Sequence, residues 1–321
     1  MSQSPPAGPF GAQPDDQPAW PQAGPPAAMA FYPGSQPAYG APPFDPSDPL
    51  VSADYAGWWR RGFAVVRRGW RPLALVQAVT AIPALALLIP IGLYEQLAAA
   101  RSADDPFADT FEFGRFLTVI GTAGLAAGLA GLIYAIGTLV SARLVVTIAT
   151  GGEVRVGRAV RAVLPRVPAL IGWSLLAGLI AVAAVFACIL PAFYVGAVFV
   201  LLPVVVLFEP GNAISRCFRL FNHDFGASVG RIATIVGLSV GGTLLFGAAS
   251  VVVTMLATGS AFVDPTTADT GAIVASSLLD TVFEGVATLI VGVVVTPLTV
   301  AAYADLRARL EPFTTAYLAA E

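Results

Sequence analysis

Few side chains in this sequence are of a type that does chemistry, and their spacing argues against most of it. The single histidine, His223, precedes Asp224, a pair suited to acid–base work. No nucleophile or second base accompanies it, and a solvated surface imidazole is the simpler reading. Two cysteines, Cys188 and Cys217, cannot with one histidine complete a structural zinc site or a disulfide framework. No phosphate-binding loop, dinucleotide loop, zincin helix or serine nucleophile elbow occurs. The expectation is therefore no catalytic residue, no cofactor and no metal. What remains is ionic. Glu209, Arg216, Arg219, Asp305 and Arg307 fall at the ends of apolar runs, and the expectation is a polar cluster on the cytoplasmic side.

The elements that position these groups must be membrane-embedded. Of the 321 residues, 56% are hydrophobic and 12% charged, with a mean hydropathy of +0.77. A soluble domain of this size carries about twice that charge density, so a soluble globular chain is excluded. All 17 basic residues are arginine; with abundant Ala, Gly and Pro this is the composition of a GC-rich bacterial coding bias.

Uncharged runs long enough to cross ~30 Å of hydrocarbon predict an all-α protein with six spans, at about 73–94, 116–142, 167–190, 192–208, 232–258 and 285–304. The stretch Val167–Phe208 is 42 uncharged residues, roughly twice one crossing as a helix. It must turn, and Pro191 with Phe193 and Tyr194 is the expected corner. Two full crossings are favoured, though a re-entrant hairpin satisfies the same parity. Residues 1–50 hold 14 of the 26 prolines, no basic residue and no apolar run, so they read as a disordered tail. Residues 51–311 form the membrane domain and 312–321 a C-terminal tail. Every arginine except Arg101 and Arg115 falls on one set of connections, while Glu95, Asp104, Asp105, Asp109, Glu112, Asp264, Asp269, Asp280 and Glu284 fall on the other. The positive-inside rule then puts both termini in the cytoplasm. No Asp, Glu, Arg or His lies near the middle of any expected span, which argues against a buried ion or proton relay.

Three basic segments precede spans one, three and five, each patterned as a short amphipathic helix. The first carries Trp59, Phe63, Val66 and Trp70 on one face and Arg60, Arg61, Arg67 and Arg68 beside it; Trp59, Trp70 and these arginines are candidate headgroup contacts. The second aligns Val156, Val160, Val163, Leu164 and Val167; the third aligns Ile214, Phe218, Phe221 and Phe225. The repeating unit is an interfacial helix followed by a hairpin of two spans. In span two, Gly121, Gly124, Gly128, Gly131 and Ala135 make a smooth packing face. The expectation is that it marks the most enclosed helix of its own bundle, with a dimer interface as the alternative. Gly237 and Gly241 are expected to be its intramolecular counterpart.

The stretch 190–231, with Pro191, Pro203, Glu209 and Ala213 to Leu220, resembles the core of a bacterial membrane-domain family named after glycerophosphodiester phosphodiesterases. The chain reads Arg216-Cys217 where that family often has Arg-Ser. Its ending is also similar, in Tyr303, Asp305, Leu306, Arg307, Arg309 and Glu311. The resemblance covers 56–311 and implies a helical membrane module. Some members of the family carry a separate catalytic barrel, whose acidic and histidine residues this chain lacks. The expected function is a non-catalytic module in the bacterial inner membrane that organises headgroups, anionic ones included, or a membrane or cytoplasmic protein partner. A transporter or channel built from broken helices is the alternative. No nucleic-acid partner is expected, and the oligomeric state is open.

Overall fold

The computed structural model describes residues 45–103, 113–259 and 270–320. Residues 1–44, and with them nearly all of the expected tail, lie outside the described residues. So do the loop acids Asp104, Asp105, Asp109, Glu112, Asp264 and Asp269 and the side chains of Arg101 and Arg115.

Ten α-helices make up the described chain: α1 (Tyr55–Ala103), α2 (Phe113–Ala149), α3 (Val156–Val163), α4 (Val167–Ala187), α5 (Ile189–Phe199), α6 (Leu202–Phe208), α7 (Ala213–His223), α8 (Phe225–Thr258), α9 (Thr270–Leu310) and α10 (Thr315–Ala320). Six stretches are long and apolar enough to cross a membrane: Tyr55–Ala98, Leu117–Ala149, Val156–Ala187, Ile189–Phe208, Phe225–Ala257 and Thr270–Leu310. The chain is a multi-pass membrane protein. α1 packs along α2 and α9, α8 along α9, and α4 along α5.

The turn inside the long third run is at Cys188, whose backbone is extended (φ −177°, ψ 154°), not at Pro191. Pro191 is the third residue of α5, inside the first turn, where a missing N–H leaves no helical bond unmade. Pro203 occupies the same kind of position in α6, after the break at Val200–Leu201.

Helix register also departs from the apolar runs. A Cβ added at Gly292 would stand 2.6 Å from the Gln77 amide, and one at Gly285 2.7 Å from Leu85 Cδ1. The Ser277 hydroxyl donates to Gln96 Oε1 at 2.7 Å. Residues 277–292 of α9 therefore run beside 77–96 of α1, whereas Leu298 meets Trp58 and Gly62. The C-terminal half of the run 285–304 is apolar because protein encloses it: Val300 to Ala304 are fully buried. Two acids thus come level with the first run. Asp280 receives the Ser250 hydroxyl, and Glu284 stands next to the residue that meets Leu85, in the middle of 73–94. Asp280 and Glu284, expected in the connection before the last span, are thus residues of α9 alongside the first run.

The apolar faces of the three basic segments are covered by protein only in part. In α1 the buried positions include Trp58, Gly62, Val65, Gly69, Leu73 and Val76, a three–four spacing that packs into the bundle. Trp59, Phe63 and Val66 are half-buried flanks, and Trp70 is exposed. The basic segment runs into the first span across a kink at Gly69 (φ −124°, ψ 16°), where the α1 backbone closes on Ile148. In α3, Ala159 and Val163 are buried while Val160 and Leu164 are exposed; in α7, Ala213, Cys217, Leu220 and Phe221 are buried while Phe225, at the start of α8, is exposed. Wheel arithmetic finds an apolar arc, but the neighbouring helix decides which part of that arc is covered.

The glycine face is corrected more sharply. Gly121, Gly124, Gly128 and Gly131 are exposed, with open space where a Cβ would stand, and Ala135 is half-buried. α2 faces its own bundle through Ala126, Ala130 and Gly137 instead, the last pressed against Thr80. Gly237 and Gly241 likewise face open space, and Gly242 makes the close approach, to Val291. Small residues permit close packing without dictating that it occurs.

Both ends of the described chain join the core. Asp48 is buried; its carboxylate accepts from the backbone N–H of Leu50 (2.9 Å), Val51 (2.8 Å) and Thr315 (2.7 Å) and from the Thr315 hydroxyl. Leu318 of α10 is fully buried, and its carbonyl accepts from Arg143 at 2.6 Å. Residues 48–50 and 315–318 are thus packed parts of the body.

Candidate polar site at the arginine-rich end

The beginnings of α1 and α8, the ends of α2, α6 and α9, and α7 and α10 meet at one end of the bundle. α6 stops at Glu209, whose backbone turns extended, and Gly211 takes a positive φ (104°) that only glycine adopts freely. Asn212 then caps α7, its side chain accepting from Ser215 N at 3.0 Å. This turn delivers Arg216 beside Glu209.

The last turns of α9 supply the rest. Tyr303, Arg307 and Glu311 recur at four-residue spacing, so they share one face. Arg216 pairs with Glu209 through Nε and donates from Nη2 to Glu311 Oε1 at 2.7 Å. Arg307 donates from Nε to the same Glu311 oxygen at 2.6 Å and from Nη1 to the Tyr303 hydroxyl at 3.0 Å. The Tyr303 hydroxyl donates to Glu209 Oε1 at 2.6 Å. Tyr303 also stacks on Phe208 (6.1 Å between centroids), and the Arg307 guanidinium lies 4.7 Å over the Phe313 ring.

A second network occupies the opposite face of α9. Asp305, fully buried, pairs with Arg231 of α8, which is 3% exposed. Arg231 also donates to Ala227 O at 3.0 Å and lies 5.9 Å from the Trp58 ring. Arg309 donates to Asp224 at 2.6 Å and to Ala53 O at 2.7 Å, tying α9 to the segment before α1. Asp224 caps α8 through Ala227 N.

Ionisation follows from these contacts. Burial alone would lower the Arg216 pKa, but Glu209 and then Glu311 outweigh it and raise it. Burial pushes Glu311 up, and Arg307 and Arg216 bring it below the usual carboxylate value. Asp224 is held low chiefly by the Ala227 N–H and also by Arg309. Burial, with Glu209 nearby, pushes the Cys217 thiol up to about 12, so it is an inert core group.

Of the five residues expected to cluster, Glu209, Arg216 and Arg307 come together. Asp305 turns away into the second network, since residues two apart on a helix face opposite sides. Arg219 is exposed at the rim and forms no ion pair among the described residues. Tyr303, Glu311, Arg231, Asp224 and Arg309 were absent from the expected cluster. The spacing of 303, 307 and 311 signals the first two; nothing in the sequence signals that Arg231 reaches Asp305. Among the candidate headgroup contacts, Arg60, Arg67, Arg68 and Trp70 are exposed. Arg61 is half-buried and donates to Pro46 O at 3.0 Å, and Trp59 packs against Phe63 with the rings tilted by 43° and 4.6 Å between centroids. No family model, curated protein or solved structure matches the chain.

Proposed function

We propose that this chain is a non-catalytic membrane module whose arginine-rich end presents a basic surface to anionic lipid headgroups. The carrying observation is how the arginines divide. Arg143, Arg216, Arg231, Arg307 and Arg309 are engaged inside the body, whereas Arg60, Arg67, Arg68, Arg71 and Arg219 are exposed without an ion pair among the described residues. Exposed arginine beside the exposed Trp70 is the chemistry of a headgroup layer. The charge asymmetry of the connections supports a cytoplasmic placement of this end in a bacterial inner membrane. The similarity of residues 190–231 and 295–311 to the glycerophosphodiester-phosphodiesterase membrane domains agrees with such a module.

The test is tryptophan quenching by brominated phosphatidylglycerol against brominated phosphatidylcholine, with the full chain in mixed bilayers. Each surface arginine contributes about 1 kcal/mol near anionic lipid. Preferential quenching by the anionic lipid should therefore appear, weaken in high salt, and fall when Arg67, Arg68 and Arg71 become glutamine. Equal quenching by both lipids rejects the proposal.

One observation favours a second reading, passage of a small or lipidic substrate. Asp280, which receives the Ser250 hydroxyl, and the exposed Glu284 lie on α9 at the level of the first run. Proton flux into proteoliposomes that Glu284→Gln abolishes would support it over the first.

A further inference from the structure

The face of α7 that carries Asn212, Ser215, Arg216 and Arg219 lines, with Phe208, Glu209, Pro210, Arg307 and Glu311, a cleft of about 430 Å³. That volume lies within the range of small-ligand sites, roughly 300–1,000 Å³. Its hydrogen-bonding inventory is lopsided. Glu209 Oε1 is occupied by Tyr303, Glu209 Oε2 by Arg216, and Glu311 Oε1 by both Arg216 and Arg307, which leaves Glu311 Oε2 as the one carboxylate oxygen without a partner among the described residues. Donors are left over. Arg216 uses Nε and Nη2 but engages no acceptor through Nη1 among the described residues; Arg307 uses Nε and Nη1 but not Nη2. Asn212 spends its oxygen on the α7 cap and keeps its amide N–H groups, and the exposed Ser215 hydroxyl stands three residues on. Arg219 adds an entire unpaired guanidinium at the rim. Three arginines face two carboxylates, so one positive charge is uncompensated.

We propose that this cleft is a phosphate site, in which an acceptor-only anion takes the spare donors of Arg216, Arg307 and Asn212 while Arg219 closes over it. A surplus of donors with one net positive charge selects an oxyanion over a cation or a neutral donor. The two structural arginines are already held in place by Glu209 and Glu311, so the ligand need order only Arg219. The same chemistry fits a phospholipid headgroup entering from the bilayer edge and a free phosphate arriving from water. The proposal rests on the headgroup reading for its setting, and its test keeps the two apart.

The full chain in a neutral detergent is titrated with radiolabelled inorganic phosphate and, separately, with dihexanoyl phosphatidylglycerol. Variants are Arg219→Gln, Ser215→Ala and, as an exposed arginine elsewhere, Arg161→Gln; circular dichroism checks that each is folded. Saturable binding of either probe, weakened about tenfold by Arg219→Gln through loss of a charge-assisted bond, is the expected result. Ser215→Ala weakens it less and Arg161→Gln leaves it unchanged. Binding of the lipid alone assigns the site to a headgroup; binding of both assigns it to the phosphate group itself. No saturable binding of either probe overturns the site, as does equal weakening by Arg161→Gln, even where brominated phosphatidylglycerol still quenches preferentially. Saturable, Arg219-dependent phosphate binding without a lipid preference in bilayers keeps the site and rejects the headgroup reading.

Discussion

Replacing Asp48 with alanine should destabilise the folded chain by about 3 kcal/mol, a value built from four bonds that one carboxylate accepts. Leu50 N, Val51 N and Thr315 N would each lose their acceptor in a region where Leu50, Val51 and Thr315 are buried. An orphaned buried donor costs about 1–3 kcal/mol, and water entering the vacated space recovers part of that. Thr315→Val removes only the hydroxyl bond and should cost about 1 kcal/mol. Because the two changes share a partner, their effects in the double variant should fall short of additivity by roughly 0.5–1 kcal/mol. The assay is thermal unfolding of the full chain in detergent, followed by tryptophan fluorescence; Trp58 is fully buried nearby in sequence and reports the loosening. A fall in melting temperature of roughly 5–10 °C corresponds to the expected loss. An Asp48→Ala protein that melts within a degree of the parent would refute the reasoning. It would mean that residues 45–52 are detached, as the proline-rich composition of the first 50 residues suggested.

Arg231→Ala removes the close cationic partner of the enclosed Asp305 and should cost about 3–5 kcal/mol, whereas Arg231→Met with Asp305→Leu should recover most of it; the same melting assay reads both. Glu311 predicts a pH dependence. Arg307 and Arg216 hold its folded value below the ordinary 4.5, so its contribution is complete above that value and disappears as pH falls through the lowered one. Melting temperature should drop on acidification below about pH 4.5, and Glu311→Gln should flatten that part of the profile. Gly62→Ala should destabilise by about 1–3 kcal/mol, since its Cβ would stand 2.5 Å from Leu298 Cδ2. Gly128→Ala, with nothing within 4 Å, should be neutral or gain up to about 1 kcal/mol of helix propensity. Equal effects at the two glycines would contradict the packing described for α1.

How much of this was legible beforehand follows from what each signal measures. Six helices long and apolar enough to cross a membrane could be read directly, because the need to satisfy every backbone group in lipid leaves a long apolar run only one structure. The arginine-rich end could be read too, as could the presence there of Glu209, Arg216 and Arg307. Register could not. Val300 to Ala304 and Leu75 to Ile82 are both apolar, yet the first stretch is enclosed by protein and the second carries Leu75, Val79 and Ile82 on the outside. Hydropathy records only the absence of water, and lipid and protein interior share that absence. For the same reason the exposed Gly121–Gly131 stripe and the buried Ala126 and Ala130 looked alike along the helix. Asp48 was hidden in a proline-rich context because its partner, Thr315, lies 267 residues away. The partners of Asp305 and Glu311 depend on which turn of α9 faces α7 and which faces α8. Only the packing of those three helices, settled by shape and by the exclusion of unpaired charge from the core, decides that.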